Sequence, residues 1–189
     1  AKQYCAVDLI MGKQKEVKIG RGAVPNRYKT MSPELMTTIT EYTKTGGNVM
    51  LTGSFIATDI WDKKNAVEEE KAFAADVLGY KWRVGQAAIV GKIHSVPSIH
   101  SKLSDDGSWT FGMELNDKIY AVESPDAIYP ADTQTGATVF RYTENNIPAG
   151  VASSKNGYKT FVLGVPFEGI KGKENRNAFM QRVLNFFEK

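Results

Sequence analysis

Residues 32–54, SPELMTTITEYTKTGGNVMLTGS, predict a helix, a tight turn and a strand in direct succession. Ser32 can accept hydrogen bonds from the free amides of the first helical turn, and Pro33 at the first helical position gives up no hydrogen bond. The Gly46-Gly47 pair supplies the left-handed residue at which a helix stops. Because a β-type run follows at residues 48–52, the segment is half of a βαβ unit.

The segments on either side extend this pattern. Residues 4–11 are apolar apart from one acid and predict a buried strand, in which Cys5 is a small core residue. Residues 13–29 are polar and rich in Gly, Lys and Arg, which predicts a long surface loop. Asn65 is the predicted N-cap of a second helix, with Glu68 as its reciprocal capping partner. The run of three glutamates at residues 68–70 is expected to form a solvated helix start.

The remainder of the chain predicts a sheet and a last helix. Between residues 86 and 165, short β-like runs alternate with Gly, Pro, Asn and Asp, and Asn156-Gly157 is a hairpin signal. Apolar residues at helical spacing over residues 179–187 predict a helix that packs on this sheet. Since helices and strands alternate at both ends, we expect an α/β fold: a three-layer sandwich with a mostly parallel, flavodoxin-like sheet and an antiparallel extension.

The composition excludes several classes of function. The 189 residues are 42% hydrophobic and 24% charged, and the formal net charge is +3 with both signs scattered along the chain. A nucleic-acid partner is not expected, because it needs a clustered basic face. No apolar run is long enough for a membrane span. The single cysteine allows no internal disulfide, and no zinc-ligand or phosphate-loop spacing occurs, so neither a metal nor a cofactor is expected.

Ligands of open α/β sheets bind outside the carboxyl ends of the strands, which makes Gly53, Ser54 and Glu168 candidate site residues. Ser54 follows a strand, as a nucleophile elbow requires, but the bulky Ile56 stands where that turn needs a small residue. A catalytic triad would also need one of the two histidines to fold over this edge. The alternative is a backbone turn in which the Ser54 hydroxyl caps a free amide.

Asp59 and Trp61, in the loop after the same strand, form a second candidate site. A Trp face stacks on sugar C–H groups and a carboxylate accepts hydrogen bonds from hydroxyls, so the pair suits a sugar or a cation. The alternative, which we favour, is structural: Asp59 starts a turn and Trp61 packs as a plug that anchors the loop.

Residues 159–170, KTFVLGVPFEGI, and the Asn185-Phe186 pair resemble the end of class I glutamine amidotransferase domains. In that family this region supplies the His and Glu of a Cys-His-Glu triad. Here Glu168 is retained, but no His stands next to it. Ser54 occupies the place of the nucleophilic Cys, and the second Gly of that turn is missing. The resemblance therefore implies an amidotransferase-like fold without the amidotransferase machinery.

A wider pattern is similar to the amidotransferase-like domain of secreted bacterial proteins labelled xanthan lyase-like. It comprises residues 7–12, 32–35, 42, 46–48, 53–54, 59–61, 125–128 and 164–168. This resemblance implies a single amidotransferase-like domain over residues 1–189 that lacks the first strand of its relatives. It also implies a secreted or periplasmic location.

Two classes of function follow from these observations. The first is a non-catalytic amidotransferase-like module of a secreted or cell-envelope protein, which binds a glycan or other domains of the parent protein. The alternative is a carbohydrate-active hydrolase or lyase that uses Ser54 or an acid–base pair of Asp or Glu residues. A mainly structural domain is a third possibility. The candidate site residues are Gly53, Ser54, Asp59, Trp61, Asp126 and Glu168.

The two main hypotheses predict different arrangements of these residues. Catalysis requires two carboxylates, or Ser54 and a histidine, to converge in one cleft. Glycan binding instead expects exposed aromatic side chains to gather on one surface. The aromatic candidates are Trp61, Trp82, Trp109 and Tyr129.

Overall fold

The computed structural model describes residues 4–17, 28–63, 66–115 and 118–188. Its helices are α1 (Pro33–Lys44), α2 (Thr58–Trp61), α3 (Glu68–Ala72) and α4 (Lys173–Phe187). A π-helical turn, Phe73–Val77, continues α3. The strands are β1 (Ala6–Gly12), β2 (Asn48–Gly53), β3 (Tyr80–Val84), β4 (Lys92–Ser95), β5 (Ser108–Thr110), β6 (Ala127–Pro130), β7 (Gly136–Tyr142), β8 (Pro148–Lys155) and β9 (Tyr158–Leu163). Over these ranges, no helix is long and apolar enough to cross a membrane.

Seven strands form one mixed sheet in the order β1-β2-β9-β8-β7-β4-β5, which curls into a half-barrel. The β1-β2 and β2-β9 pairs are parallel, whereas the β9-β8, β8-β7, β7-β4 and β4-β5 pairs are antiparallel. A separate two-stranded sheet contains β3 and β6. The predicted three-layer sandwich with a mostly parallel, flavodoxin-like sheet is therefore wrong.

The lengths of the connections explain this difference. Parallel neighbours need a crossover of about a dozen residues or more, usually with a helix. Residues 143–147 and residues 156–157 are the whole connections from β7 to β8 and from β8 to β9. Such short loops can join only antiparallel neighbours, so the middle of the sheet cannot continue the parallel pattern of β1 and β2.

The hairpin between β8 and β9 is built by its turn residues. Asn156 and Gly157 have φ angles of 51° and 82°. A type I′ turn requires positive φ at both central positions, which Asn and Gly tolerate best. Lys155 pairs with Tyr158 directly across the turn. The predicted Asn-Gly hairpin is confirmed.

Residues 32–54 fold into the helix, turn and strand that their sequence predicts. The Ser32 hydroxyl accepts a hydrogen bond from the Leu35 amide at 3.2 Å and caps α1. Every residue of β2 is buried, between β1 and β9. The strand predicted at residues 4–11 is present as β1, but it is an edge strand without a fully buried residue, so the prediction of a buried strand is wrong. Cys5 is exposed and precedes it. The prediction of a core cysteine is wrong, because the chain enters the sheet one residue later.

The second helix differs from its prediction at its start. No side-chain hydrogen bond caps α3, and Asn65 lies outside the described residues, as do residues 18–27 of the predicted loop. Glu70 is 4% exposed rather than solvated. Its carboxylate accepts from Lys29 Nζ at 2.6 Å and from Lys63 Nζ at 3.2 Å. Two lysines from outside the helix thus compensate the buried charge. The glutamate run by itself does not predict these ion pairs.

Two apolar clusters lie on opposite faces of the large sheet. Phe161 and Val162 are successive residues of β9, so their side chains point to opposite faces. Phe161 packs in the cluster that contains Phe179 of α4. Val162 packs in the cluster that contains Ile39 of α1 and Ile60 of α2. Helix α4 therefore covers one face, and α1 to α3 cover the other.

Gly164 follows β9 in close contact with the backbone of Asp126. A Cβ atom on Gly164 would lie 2.0 Å from the Asp126 carbonyl oxygen. We expect Gly164→Ala to lower the free energy of unfolding by about 3 kcal/mol, because overpacking against a backbone atom must displace a strand end. Urea denaturation followed by circular dichroism measures this change.

Gly112→Ala is the matched control for that substitution. At Gly112 the new methyl group meets, among the described residues, only Lys171 Cε, at 3.9 Å. This variant should unfold close to the wild type. Equal losses of stability in the two variants would contradict the proposed clash.

Candidate functional site

The carboxyl ends of the three parallel strands meet at one edge of the sheet. We call Gly12, Ser54 and Glu168, which end or follow β1, β2 and β9, the carboxyl edge. The Ser54 amide donates to the Gly12 carbonyl oxygen at 2.9 Å, which links β1 and β2. The Phe167 amide donates to Thr52 Oγ1 at 3.3 Å, which holds the turn after β9 against β2. The backbone of this edge is therefore fixed by hydrogen bonds between its strands.

A tyrosine and a glutamate meet above Gly12. The Tyr120 hydroxyl donates to Glu168 Oε1. A Cβ atom on Gly12 would lie 3.2 Å from the Tyr120 hydroxyl oxygen and 3.3 Å from Glu168 Oε1. Gly12 also has a φ angle of 55°, which a side chain disfavours. A glycine at this position thus gives both polar groups the room to meet.

Asp8 adds a second carboxylate to this arrangement. It lies on the same face of β1 as Ile10, since alternate residues of a strand share a face, and it is close enough to Glu168 for the two charges to interact. Partial shielding from water, together with the negative charge of Glu168, raises the pKa of Asp8 to about 6. Burial and Glu168 likewise raise the pKa of Tyr120. We call Asp8, Tyr120 and Glu168 the acid–tyrosine cluster.

The acid–tyrosine cluster is open to solvent and incompletely satisfied. Ile10 beside it is 52% exposed, and Asp8 is exposed as well. Glu168 Oε2 is buried and has no hydrogen-bond partner within the described part of the chain. Lys13 places its ammonium group 5.6 Å from the centre of the Tyr120 ring and pairs with Glu123 at 2.7 Å. The cluster therefore combines two carboxylates with an aromatic ring, and a lysine lies over that ring.

Ser54 has no base. Its side chain is fully buried, and its hydroxyl makes no hydrogen bond to any described residue. The expected alternative, a hydroxyl that caps a free amide, is therefore not observed either. Asp126 N, Ala57 N and Thr58 N, the nearby amides at this edge, bond to other acceptors.

Both histidines lie far from Ser54. His100 packs against Phe186 with ring centroids 5.1 Å apart, and the Phe186 carbonyl accepts from Lys159 Nζ at the amino end of β9. A strand of this length spans roughly 20 Å, so His100 is at the other end of the sheet. His94 lies on β4, which is four strands from β2, or about 19 Å when measured along the sheet at the usual strand spacing. A Ser-His-acid triad is not formed.

Asp126 holds the start of α2. Its carboxylate accepts from the Ala57 amide at 2.7 Å, the Thr58 amide at 2.9 Å and the Thr58 hydroxyl at 2.5 Å. The residue is fully buried, and burial raises its pKa to about 7 despite these donors. A carboxylate in this position supports a helix and is not accessible to a substrate.

Asp59 and Trp61 lie on the face of the sheet covered by α1 to α3. Asp59 accepts from the Glu16 amide at 2.8 Å and from the Thr30 amide and hydroxyl at 3.0 and 2.9 Å. It thereby fastens both described ends of the loop between β1 and α1. Trp61 packs edge-on against Tyr80, with ring centroids 5.9 Å apart. Both residues have the structural environment that anchoring the loop requires.

The structure divides the six sequence-predicted site residues into two groups. Gly53, Ser54 and Glu168 lie at the carboxyl edge. Asp59 and Trp61 belong to α2, and Asp126 binds the amides at the start of that helix. Asp8 and Tyr120 were not among the predicted residues. The signal for Asp8 was a single acid in an otherwise apolar strand, but the segment that contains Tyr120 offered none, because it reads as a strand and forms a loop.

The aromatic residues do not gather on one surface. Trp109 is buried in the cluster beneath α4, and Trp61 and Trp82 pack on the cluster of the opposite face. Tyr129 is 41% exposed on β6, in the two-stranded sheet. The expectation of a shared aromatic surface is wrong for these four residues. Metal binding has no support in the described ranges, which contain no group of three or more His, Cys, Asp or Glu side chains that could hold an ion.

No protein-family model and no curated protein sequence matches this chain. Solved structures do match it, at low identity. The β-galactosidase from Rahnella sp. R3 is 11% identical with a TM-score of 0.56, and the match covers 96% of this chain and 22% of that one. The mmIFT52 N-terminal domain is 11% identical with a TM-score of 0.53, over 83% of this chain and 72% of that one.

A third match is Agd3, described as a carbohydrate deacetylase. It is 8% identical with a TM-score of 0.50, over 97% of this chain and 24% of that one. The chain thus spans about a quarter or less of the Rahnella β-galactosidase and of Agd3. At these identities the likeness shows a shared fold, which occurs as a domain of larger proteins. The resemblance to amidotransferase-like domains stays a prediction.

The buried Asp126 carboxyl should make stability depend on pH. A pKa that is raised in the folded state contributes stability below the unfolded value, near 4, and this contribution is lost as pH rises towards about 7. We expect Asp126→Asn to flatten the decline in unfolding free energy between pH 4 and pH 7, because an amide accepts similar hydrogen bonds but does not titrate. Urea titrations at several pH values measure the slope.

Asp126→Ala provides the companion measurement. It also removes the titrating carboxyl and in addition leaves the Ala57 and Thr58 donors without an acceptor, so it should be about 2 kcal/mol less stable than Asp126→Asn at every pH. A slope in Asp126→Asn equal to that of the wild type would show that other groups cause the pH dependence.

The coupling between Asp8 and Glu168 is directly measurable. We expect Glu168→Gln to lower the pKa of Asp8 from about 6, because it removes a neighbouring negative charge, but not to the ordinary value, because the shielding from water remains. Carbon-detected NMR titration of the Asp8 carboxyl measures this shift. Glu41→Gln, on the outer side of α1, is the control and should leave Asp8 unchanged. An unchanged pKa in Glu168→Gln would disprove the coupling.

Proposed function

We propose that this chain is a non-catalytic, glycan-binding module of a larger carbohydrate-active protein and that its ligand binds at the acid–tyrosine cluster. One observation carries the proposal: the exposed Asp8 carboxylate interacts with Glu168, whose Oε1 accepts from the Tyr120 hydroxyl and whose Oε2 has no partner among the described residues. Oε2 is buried, so a ligand hydroxyl would reach it once the Glu168 side chain turned outward, and this contact would remove an unfavourable unpaired acceptor.

The chemistry of the cluster matches that of a sugar. Sugar hydroxyls donate hydrogen bonds to carboxylates, and Asp8 and Glu168 are such acceptors when ionised. The Tyr120 ring offers a surface for sugar C–H groups. Lys13, whose ammonium lies 5.6 Å from the ring centre, adds a donor for sugar oxygens. These groups suit a neutral or amino sugar better than an acidic one.

The absence of a nucleophile–base pair supports a binding role over catalysis. The Ser54 hydroxyl has no hydrogen-bond partner in the described ranges, and the histidines belong to other parts of the sheet. Asp126 and Asp59 are engaged with backbone amides. The fold likeness to domains of a β-galactosidase and a carbohydrate deacetylase supports a carbohydrate context. A secreted or periplasmic location, as the amidotransferase-like resemblance implies, agrees with it.

A second candidate function rests on the pKa of Asp8. A carboxyl that is half protonated near pH 6, next to a second carboxylate, is the arrangement that a general acid–base pair in a glycosidase or lyase needs. In this alternative, Asp8 donates the proton to the leaving group and Glu168 is its partner. Tyr120, which occupies one Glu168 oxygen, would then have to release it.

A glycan array followed by calorimetry tests binding. We expect retained oligosaccharides to lose affinity by about tenfold in Tyr120→Phe and in Asp8→Asn, because each removes a polar contact to the ligand. Asp106→Asn changes the same charge in an exposed loop after β4 and should bind as the wild type does.

The same ligands separate binding from catalysis. Incubation of the wild type with each retained glycan, analysed by mass spectrometry, should leave the glycan intact. Cleavage that is lost in Asp8→Asn would replace the proposal with the acid–base alternative. An array with no retained glycan would contradict both.

A further inference from the structure

We infer that a groove between α1 and the α3–π-turn segment is a docking surface for a partner polypeptide that carries an apolar anchor flanked by lysine or arginine. The groove has a volume of about 480 Å³ and opens to solvent. Met36 of α1 and Ala72, Phe73 and Val77 of the opposite wall provide its apolar lining. It therefore offers apolar surface for an inserted side chain.

The π-helical turn shapes one wall of this groove. The Leu78 amide donates to the Phe73 carbonyl oxygen, five residues before it, at 3.2 Å. Such a turn accommodates one more residue than an α-helical turn and displaces the side chains that follow. Phe73 is buried towards the sheet, whereas Val77 is partly exposed along the groove. π-Helical turns occur frequently at functional sites.

The rim of the groove is acidic, which identifies the kind of occupant. Glu41, Glu69 and Asp76 line it, although the chain as a whole carries a net charge of +3. Glu41 pairs with Lys44 at 2.8 Å. Lys71 pairs with Glu68, not with Glu69, and neither Glu69 nor Asp76 forms an ion pair within the described part of the chain. Two free carboxylates beside an apolar floor complement a basic segment with an apolar anchor.

This surface is independent of the acid–tyrosine cluster. Leu9 of β1 packs in the cluster covered by α1 to α3, whereas its neighbour Asp8 points to the opposite face. The rim carboxylates also stand apart and converge on no common point that could hold an ion. The groove therefore serves a polypeptide partner, whatever ligand the other face binds.

Fluorescence anisotropy with a labelled peptide tests the inference on the full chain. The probe carries leucines at helical spacing with lysines on both sides of them. We expect the double variant Glu69→Gln/Asp76→Asn to weaken its binding by about tenfold, since two rim ion pairs are lost. Asp106→Asn/Glu174→Gln makes the same change in net charge at exposed positions away from the groove. Its affinity should stay within about twofold of the wild type.

The site of binding is checked separately. Amide chemical-shift changes on adding the peptide should centre on Met36, Ala72 and Val77. Ala72→Arg, at an exposed helical position, should abolish binding by filling the groove with a like charge. Equal weakening in the control double variant, equal affinity for a peptide with glutamate in place of lysine, or shift changes centred elsewhere would each overturn the inference.

Discussion

Asp126 joins three parts of the molecule, and the geometry of the carboxyl edge depends on this junction. Its amide donates to the Gly164 carbonyl oxygen at 2.9 Å, which positions the end of β9. Its carbonyl oxygen accepts from the Tyr142 hydroxyl of β7 at 2.7 Å. Its carboxylate holds the first amides of α2. Because the two backbones approach so closely, Gly164 must lack a side chain. A single buried acid thus aligns β7, β9 and the helix after β2.

This structural role of Asp126 decides which acids are left for function. Asp59 and Asp126 use their carboxylate oxygens on amides and hydroxyls of the protein itself. Within the described ranges Asp8 makes no such hydrogen bond, and Glu168 uses only Oε1, which accepts from the Tyr120 hydroxyl. Asp8 is exposed on the edge strand β1. Partial shielding from water and the negative charge of Glu168 raise the pKa of Asp8 to about 6. The carboxylate oxygens that the fold leaves without a partner are therefore the ones available to a ligand.

The two faces of the sheet carry different surfaces because alternate residues of β1 and β9 point to opposite sides. One face ends in polar groups beside an exposed edge strand. The other is covered by three helical segments, whose imperfect fit leaves an acidic groove. A domain with two such surfaces can contact a ligand and a neighbouring polypeptide at once, which suits a fold that occurs as about a quarter or less of the carbohydrate-active chains it matches.

The sequence by itself determined the elements whose signals are local. The Ser32 cap, the β1 and β2 runs, the Asn156-Gly157 turn and the amphipathic last helix depend on neighbouring residues, and all are present. Only the tertiary structure decided the strand order, the burial of Glu70 and the meeting of Asp8, Tyr120 and Glu168. Lys29 and Glu70 are 41 positions apart in the sequence, and Tyr120 and Glu168 are 48 apart. No periodicity or spacing encodes such contacts, because they depend on which strands pair and on which loops return to the same edge.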